Sequence, residues 1–362
     1  MTSTSPTTAL IPVTLLTGYL GSGKTTLLNH IVQQSAMADT LVIINEFGEI
    51  ALDHLLVAHS TENVVMEMSS GCLCCTIRSD LVKTLQDITW RFSRNGKRQF
   101  HRVLIETTGL ADPAPIIHTL MADPQITKHY RLDGIVATID MATGNQTLSM
   151  YDEAVKQAAI ADCLLLTKAD LATPRDKDAL LRRLDAINPA ALRWETAHGQ
   201  IEAEKFLNLG LFSTGGKTPD VARWLHEEAY SIEAAHNKPV HHEHDDYDHH
   251  HHTHDINRHD DHVRAYCFTT DQPVSRHIYA TLLEQLFYMG GRILRIKGIL
   301  NIEGNNHPMA MHGVQHILHP LAPLPGWPNE DRRSKVVFIT RDMERETVER
   351  IFKAITHVPG CS

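Results

Sequence analysis

Cysteine is scarce in this chain: there are six in 362 residues, and three of them (Cys72, Cys74, Cys75) fall within four positions. Thiols that close cannot form the long-range cross-links of a secreted scaffold, so the pattern predicts reduced cysteines and a cytoplasmic setting. Positive charge is short as well. With 34 Lys and Arg against 43 Asp and Glu, the formal net charge is −9, which argues against an extended nucleic-acid surface. No stretch approaches the ~18 uninterrupted apolar residues of a membrane span. Met1 to Ile11 carry no basic residue and no sustained apolar core, so residues 1–11 read as a flexible arm and not as a signal peptide. No internal repeat recurs at a fixed period.

What is present falls into two blocks, and the length suits two domains at about 100–200 residues each. Short runs rich in Val, Ile and Leu recur at Val13–Leu16, Leu41–Ile44, Val64–Met66, Val103–Glu106, Gly134–Ile139 and Cys163–Thr167. Amphipathic stretches such as Thr25–Gln34 and Ser79–Phe92 lie between several of them. Strands buried on both faces and alternating with helices predict an α/β fold, a doubly wound and mostly parallel sheet over residues 12–205.

Histidine is abundant, with 25 residues in all, and eleven of them sit with six Asp and one Glu in Ala235–His262. That segment has too little apolar surface to offset its ordering entropy, so residues 206–262 read as a linker with a disordered stretch. Its neutral imidazoles suit a flexible, low-affinity metal collector that does not name its metal. Beyond it, strands are expected at Val263–Phe268, Ile293–Ile302, Met309–Leu318 and Lys335–Thr340, with helices at Val274–Met289 and Met343–Ile355. This order predicts a small α+β domain over residues 263–358, ferredoxin-like in outline.

Gly18-Tyr19-Leu20-Gly21-Ser22-Gly23-Lys24-Thr25 completes the pattern G-x-x-x-x-G-K-[ST] between a strand and a helix. In that setting the backbone N–H groups of Gly18, Gly21, Ser22 and Gly23 cradle phosphate oxygens, and the helix N-terminus favours negative charge. Lys24 would reach the β- and γ-phosphates and the Thr25 hydroxyl would ligate Mg²⁺. Glu106 ends an apolar strand, where an acid can hold Mg²⁺ through water, and the Gly109 N–H can sense a γ-phosphate. Thr167-Lys168-Ala169-Asp170 follows another strand. A carboxylate at Asp170 can accept from guanine N1–H and N2–H₂, which favours GTP over ATP.

Gly71-Cys72-Leu73-Cys74-Cys75 offers three soft thiolates, the donors that Zn²⁺ or Cu⁺ takes. Cys72 and Cys74 face one way on an extended chain, and Cys75 joins them only through a turn. Glu46 is a candidate further ligand from a loop placed where a nucleotide-sensing switch is expected, which would couple nucleotide state to metal affinity. Cys163, Cys267 and Cys361 read as isolated residues without a role.

Together, Thr17–Thr26, Asn45-Glu46-Phe47-Gly48-Glu49, Gly71–Cys75, Glu106–Pro113 and Thr167–Asp170 resemble the motifs of the CobW-like GTPases, the metallochaperone branch of the P-loop GTPases, and within them the YjiA-type subgroup. Arg295–Leu300 and His312–Gln315 look like the C-terminal domain of that family. The resemblance implies slow GTP hydrolysis tuned by metal or client, with Gly21, Gly23, Lys24, Thr25 and Thr26 on phosphate and Mg²⁺. It further implies Glu106 on Mg²⁺ or water, Lys168 and Asp170 on guanine, and a metal site at the C-x-C-C cysteines. Thr167 stands where many GTPases carry Asn.

The function expected is a GTP-hydrolysing metallochaperone that passes zinc to a client metalloprotein, with Co²⁺ or Ni²⁺ open as metals. The expectation leaves room for a metal-dependent homo-oligomer and includes no membrane or nucleic-acid partner. A metal buffer without nucleotide coupling, a cobalt delivery chaperone and a P-loop kinase or ATPase are the competing readings.

Overall fold

The computed structural model describes residues 10–45, 65–67, 75–94, 97–209, 262–275, 282, 284, 289 and 291–356. Glu46, Cys72, Cys74 and the histidine-rich run up to Asp261 lie outside these residues, and Cys75 is described through its backbone alone. Among the described residues no helix is long and apolar enough to cross a membrane.

The first layer is a seven-stranded sheet built from β1 (Ile11–Gly18), β2 (Thr40–Asn45), β3 (Val65–Glu67), β6 (Arg102–Thr107), β7 (Tyr130–Asp140), β8 (Cys163–Thr167) and β9 (Leu192–Glu195). A two-residue hairpin, β4 (Ser93–Arg94) with β5 (Lys97–Arg98), stands apart from it. The order is β3-β2-β6-β1-β7-β8-β9, with every pairing parallel. Parallel strands need crossovers, and α1 (Lys24–Ile31), α2 (Cys75–Arg91), α3 (Ala114–Ala122), α4 (Gly144–Met150), α5 (Asp152–Ile160) and α6 (Pro174–Ile187) supply them.

The helices cover both faces, which is why β1 is a continuous apolar run and not an alternating one. Val13, Leu15 and Leu16 are all fully buried, the first two against α2 and α3 and the third against α1. Helix α6 starts at a reciprocal cap, in which the Asp176 N–H donates to Thr173 Oγ1 and the Thr173 N–H donates to Asp176 Oδ2. Pro174 follows at a position where no N–H is needed.

The C-terminal layer is antiparallel. It comprises β10 (Val263–Thr270), β11 (Ile293–Leu300), β12 (Met309–Val314), β13 (Ile317–Leu318), β14 (Ala322–Pro323) and β15 (Ser334–Arg341), followed by α7 (Arg345–Thr356). The order β10-β15-β11-β12-β13 places β15 between β10 and β11, with β14 paired to β12. Strands β10 and β11 therefore run parallel but apart, with an antiparallel strand between them, as in a ferredoxin-like split unit.

Two expected elements change. Met309–Leu318 is not one strand, because Gln315 adopts φ 52° and folds it into the β12–β13 hairpin. Val274 does not open a helix, since it bridges Ile302 in parallel.

The two layers share an apolar contact. Val263, Leu294 and Ile339 join the apolar cluster of α4, α5 and α6, and Val314 joins the cluster beneath α2 and α3. A polar lock sits beside them. Asp162, 7% exposed just before β8, accepts from the Ile135 N–H at 2.9 Å, from Lys297 Nζ at 2.5 Å and from the Arg295 guanidinium. Removing one member of a buried ionic group leaves the others desolvated without compensation. Asp162→Ala should therefore lower stability by about 3 kcal/mol in urea unfolding. A loss below about 1 kcal/mol, the value of an exposed pair, would show that this carboxylate does not hold the layers together.

Candidate nucleotide site

The site is built at the carboxyl end of β1. The strand runs into the phosphate loop at Gly18, and the loop ends where α1 starts at Lys24. Gly23, the residue before the helix, has φ 93° and ψ 15°, a left-handed conformation in which a Cβ would clash with its own backbone. Lys24 is 8% exposed and donates from Nζ to the Gly18 carbonyl at 2.7 Å and to Tyr19 O at 3.4 Å. The ammonium thus arches over the loop whose N–H groups it must complement. Thr25 and Thr26 are exposed on the first turn of α1. The Ser22 hydroxyl pairs with Thr138 Oγ1 at 2.6 Å, fastening the loop to β7.

Glu106 lies on β6 between Leu16 of β1 and Ile44 of β2, and is 7% exposed. The next residue, Thr107, donates from its hydroxyl to Thr17 Oγ1 at 2.9 Å and pairs with Asn45, the residue before Glu46. Gly109 presses against the phosphate loop. A Cβ there would lie 2.5 Å from Leu20 N, so only glycine permits this approach.

The base motif is tied to the phosphate loop by a direct bond. Thr167 donates from Oγ1 to Ser22 O at 2.7 Å, with Ile139 O at 3.3 Å. That bond gives the departure from Asn at this position a physical role, because the hydroxyl fixes the distance between phosphate loop and base motif. Thr167→Val keeps the shape and removes the donor. A buried hydrogen bond of this kind contributes about 1–2 kcal/mol once the orphaned acceptor is counted, so GTP and GDP should both bind roughly tenfold more weakly. Titration with fluorescent nucleotides reads this, and a loss confined to one nucleotide would contradict a shared tether.

Lys168 has φ 54° and donates from Nζ to Asp140 Oδ2 at 2.6 Å. Burial pushes the Asp140 carboxyl up, but the Lys168 ammonium and the N–H groups of Thr143 and Ala142 outweigh it, leaving it below its ordinary range. Asp170, with 29% of its side chain exposed, has His198 Nε2 3.7 Å from its carboxylate.

Sequence reasoning missed two parts of this site. Asp140 ends β7 and holds Lys168, and a charged residue closing an apolar run was the available signal. The loop after β9, Thr196-Ala197-His198-Gly199, lies beside the base motif. The Ala169 N–H reaches Thr196 O at 3.4 Å, and a Cβ at Gly199 would sit 2.8 Å from Thr26 O. This loop follows a partly exposed edge strand, and nothing in its composition marks it.

Thus the structure brings Gly18, Gly21, Ser22, Gly23, Lys24, Thr25, Glu106, Gly109, Thr167, Lys168 and Asp170 to one edge of the sheet. Strand β3 ends at Glu67 and α2 begins at Cys75, so the connection carrying Cys72 and Cys74 departs from the same edge. The metal-ligand expectations for Cys72, Cys74 and Glu46 fall outside the described residues.

The model of the family described as CobW/HypB/UreG, nucleotide-binding domain, matches residues 12–193, and that of the cobalamin synthesis protein cobW C-terminal domain matches residues 263–356. The zinc chaperone YjiA of Escherichia coli (strain K12) is 32% identical over 347 residues, covering 95% of this chain and 98% of that protein. The zinc chaperone CobW of Pseudomonas aeruginosa is 28% identical, covering 94% and 90%. The crystal structure of Zn(II)-bound YjiA GTPase from E. coli superposes with a TM-score of 0.67 at 28% identity, covering 97% of this chain and 100% of that one.

Proposed function

The chain belongs to the CobW/HypB/UreG family of nucleotide-binding proteins, and on that premise we propose that it is a GTP-hydrolysing metallochaperone that carries zinc to a client protein. The observation that supports this reading is the shared sheet edge. The phosphate loop, Glu106, the base motif and both ends of the connection bearing the C-x-C-C cysteines all open there. Relatives named as zinc chaperones, and the zinc-regulated GTPase metalloprotein activator 1 of Schizosaccharomyces pombe, point to the same class of work.

In this reading Gly18, Gly21, Ser22 and Gly23 present N–H groups to the phosphates, Lys24 neutralises β- and γ-oxygens, and Asp170 selects guanine with Lys168 packing on the base. The exposed Thr25 hydroxyl and the buried Glu106 carboxylate are hard oxygen donors of the kind Mg²⁺ takes, Glu106 acting through water. Mg²⁺ bound there would offset the charge that builds on the transferred phosphoryl group. Cys72, Cys74 and Cys75, with Glu46, hold the cargo ion while GTP is bound. Hydrolysis releases the contacts of the Gly109 loop and of the Glu46 loop to the γ-phosphate, and the ion passes to the client.

Linkage fixes the test. If GTP tightens zinc binding, zinc tightens GTP binding by the same factor. The expected result is a GTP affinity at least about 5-fold higher with stoichiometric Zn²⁺, the lower end of ordinary coupling. That gain should be lost when Cys72, Cys74 and Cys75 are all replaced by Ser. Equal GTP affinity with and without zinc in the wild type would reduce the chain to a metal buffer that happens to bind nucleotide.

A further inference from the structure

The C-terminal sheet touches the nucleotide layer at two kinds of place. One is the buried lock around Asp162. The other is a lighter grip on the segment that follows Gly109, made by the β12–β13 turn. Gln315, at the tip of that turn, donates from Nε2 to Asp112 Oδ2 at 3.1 Å. One residue earlier, Val314 O lies 3.0 Å from His118 Nε2, and the His118 and His316 rings meet edge to face at 5.0 Å. Asp112 also holds the first residue of α3, its Oδ1 accepting the Ala114 N–H at 2.9 Å. A shift of Asp112 therefore moves both the start of α3 and the partner of Gln315.

The same segment is held from the other side by Gln157, which is 1% exposed. Its Nε2 donates to Gly109 O at 3.3 Å and to Ala111 O at 3.1 Å, while its buried Oε1 has no hydrogen-bond partner among the described residues. Turning the amide over would point its oxygen at two carbonyls, so this orientation is imposed. A buried amide with a satisfied donor and an orphaned acceptor is costly, by about 1–3 kcal/mol. An arrangement of the loop that offers Gln157 an N–H would recover that cost. The segment Gly109–Asp112 thus has a reason to possess two arrangements, which is the physical requirement for coupling between sites.

We propose that the β12–β13 turn reads the nucleotide state, with Gln315 acting as a positioning residue for the Gly109–Asp112 loop. The inference rests on the reading that Gly109 faces the γ-phosphate. When the Gly109 N–H turns toward that phosphate, the carbonyls of Gly109 and Ala111 leave Gln157, and Asp112 leaves Gln315. The turn then loosens, while the Asp162 lock keeps the C-terminal layer attached. The C-terminal sheet becomes the surface on which GTP and GDP states differ without direct contact with nucleotide.

The test uses the full chain, a non-hydrolysable GTP analogue and GDP. Gln315→Asn tolerates the left-handed backbone but is too short to reach Asp112, and Gln315→Glu sets a like charge against it. The expected result is that each variant raises the ratio of analogue to GDP affinity by about 5-fold, because it removes a contact made only in the GDP arrangement, and lowers the thermal midpoint of the nucleotide-free protein by no more than the loss of one hydrogen bond. In the wild type, amide exchange over Met311–Leu318 should be faster with the analogue than with GDP, and that difference should vanish in the variants. An unchanged affinity ratio, or equal exchange over Met311–Leu318 in both nucleotide states of the wild type, overturns the proposal. A wild type that binds neither nucleotide sinks the GTPase reading itself, and this proposal with it.

Discussion

Lys24→Ala should lower GTP hydrolysis about 10³-fold, the cost of removing a preorganised charge from a phosphoryl-transfer site. The size of the effect follows from where the ammonium sits. It is almost fully buried and points along the loop, donating to Gly18 O and Tyr19 O. Its desolvation has already occurred in folding, so its attraction for phosphate is not diluted by water. Single-turnover phosphate release measures the rate, and fluorescent GTP and GDP report binding. GTP affinity should fall more than GDP affinity, since the γ-phosphate is the group most dependent on Lys24. Lys24→Met keeps most of the side-chain volume and should behave alike, which separates lost charge from lost packing. Retention of hydrolysis within tenfold of wild type would remove Lys24 from the mechanism.

The phosphate loop was legible from the chain because its glycine and lysine spacing encodes one backbone shape. The strands of the first sheet were legible for a different reason. Burial on both faces leaves runs such as Val13–Leu16 and Cys163–Thr167 with almost no polar residue, and their length of four or five residues, too short for a buried helix, marks them as strands. Features that depend on long-range contact were not legible. Arg295 and Lys297 look like solvated charges on a strand, and only the fold brings them to Asp162, more than a hundred positions away. The hairpin at Gln315 was hidden because its tip lacks glycine or asparagine, and tertiary contacts impose the left-handed backbone. Leu192-Arg193-Trp194-Glu195 forms an edge strand with half its residues exposed, so its pattern carries little hydrophobic signal. The loop that follows it beside Asp170 was lost for the same reason.

The interlayer contacts give the family architecture a mechanical sense. The Asp162 lock grips the residue before β8, and β8 ends at Thr167, whose hydroxyl is bonded to the phosphate loop. The Gln315 turn grips the loop after β6. The C-terminal sheet is therefore attached beside the Thr167–Asp170 motif by a strong contact and beside the Gly109–Asp112 loop by a weak one. A fixed hinge beside a releasable contact is the arrangement in which a small local change is amplified, because the released side can move only about the fixed one.

Asp170→Asn should exchange the base preferred by this protein. In the proposed reading the carboxylate would accept both guanine N1–H and N2–H₂, whereas an asparagine amide offers one acceptor and one donor. Xanthine carries a carbonyl where guanine carries the amino group, so it matches the amide and mismatches the acid. A site built on paired hydrogen bonds rejects the wrong partner strongly because a buried group is left unpaired. GTP affinity should fall by about 10³-fold, and XTP affinity should rise to within tenfold of the wild-type value for GTP, on the scale of such discrimination. The surroundings favour a clean exchange. Asp170 is held by the Thr167 tether and by Lys168 on Asp140, neither of which the substitution touches. His198, with Nε2 3.7 Å from the carboxylate, would lose that neighbour but not its place in the loop. If GTP binding stays within tenfold of wild type, base selection does not pass through Asp170. If XTP is accepted, the variant also isolates the coupling to metal. On the proposed coupling, zinc should then strengthen XTP binding and leave residual GTP binding unchanged, since only a correctly seated base would deliver the γ-phosphate to the switch loops.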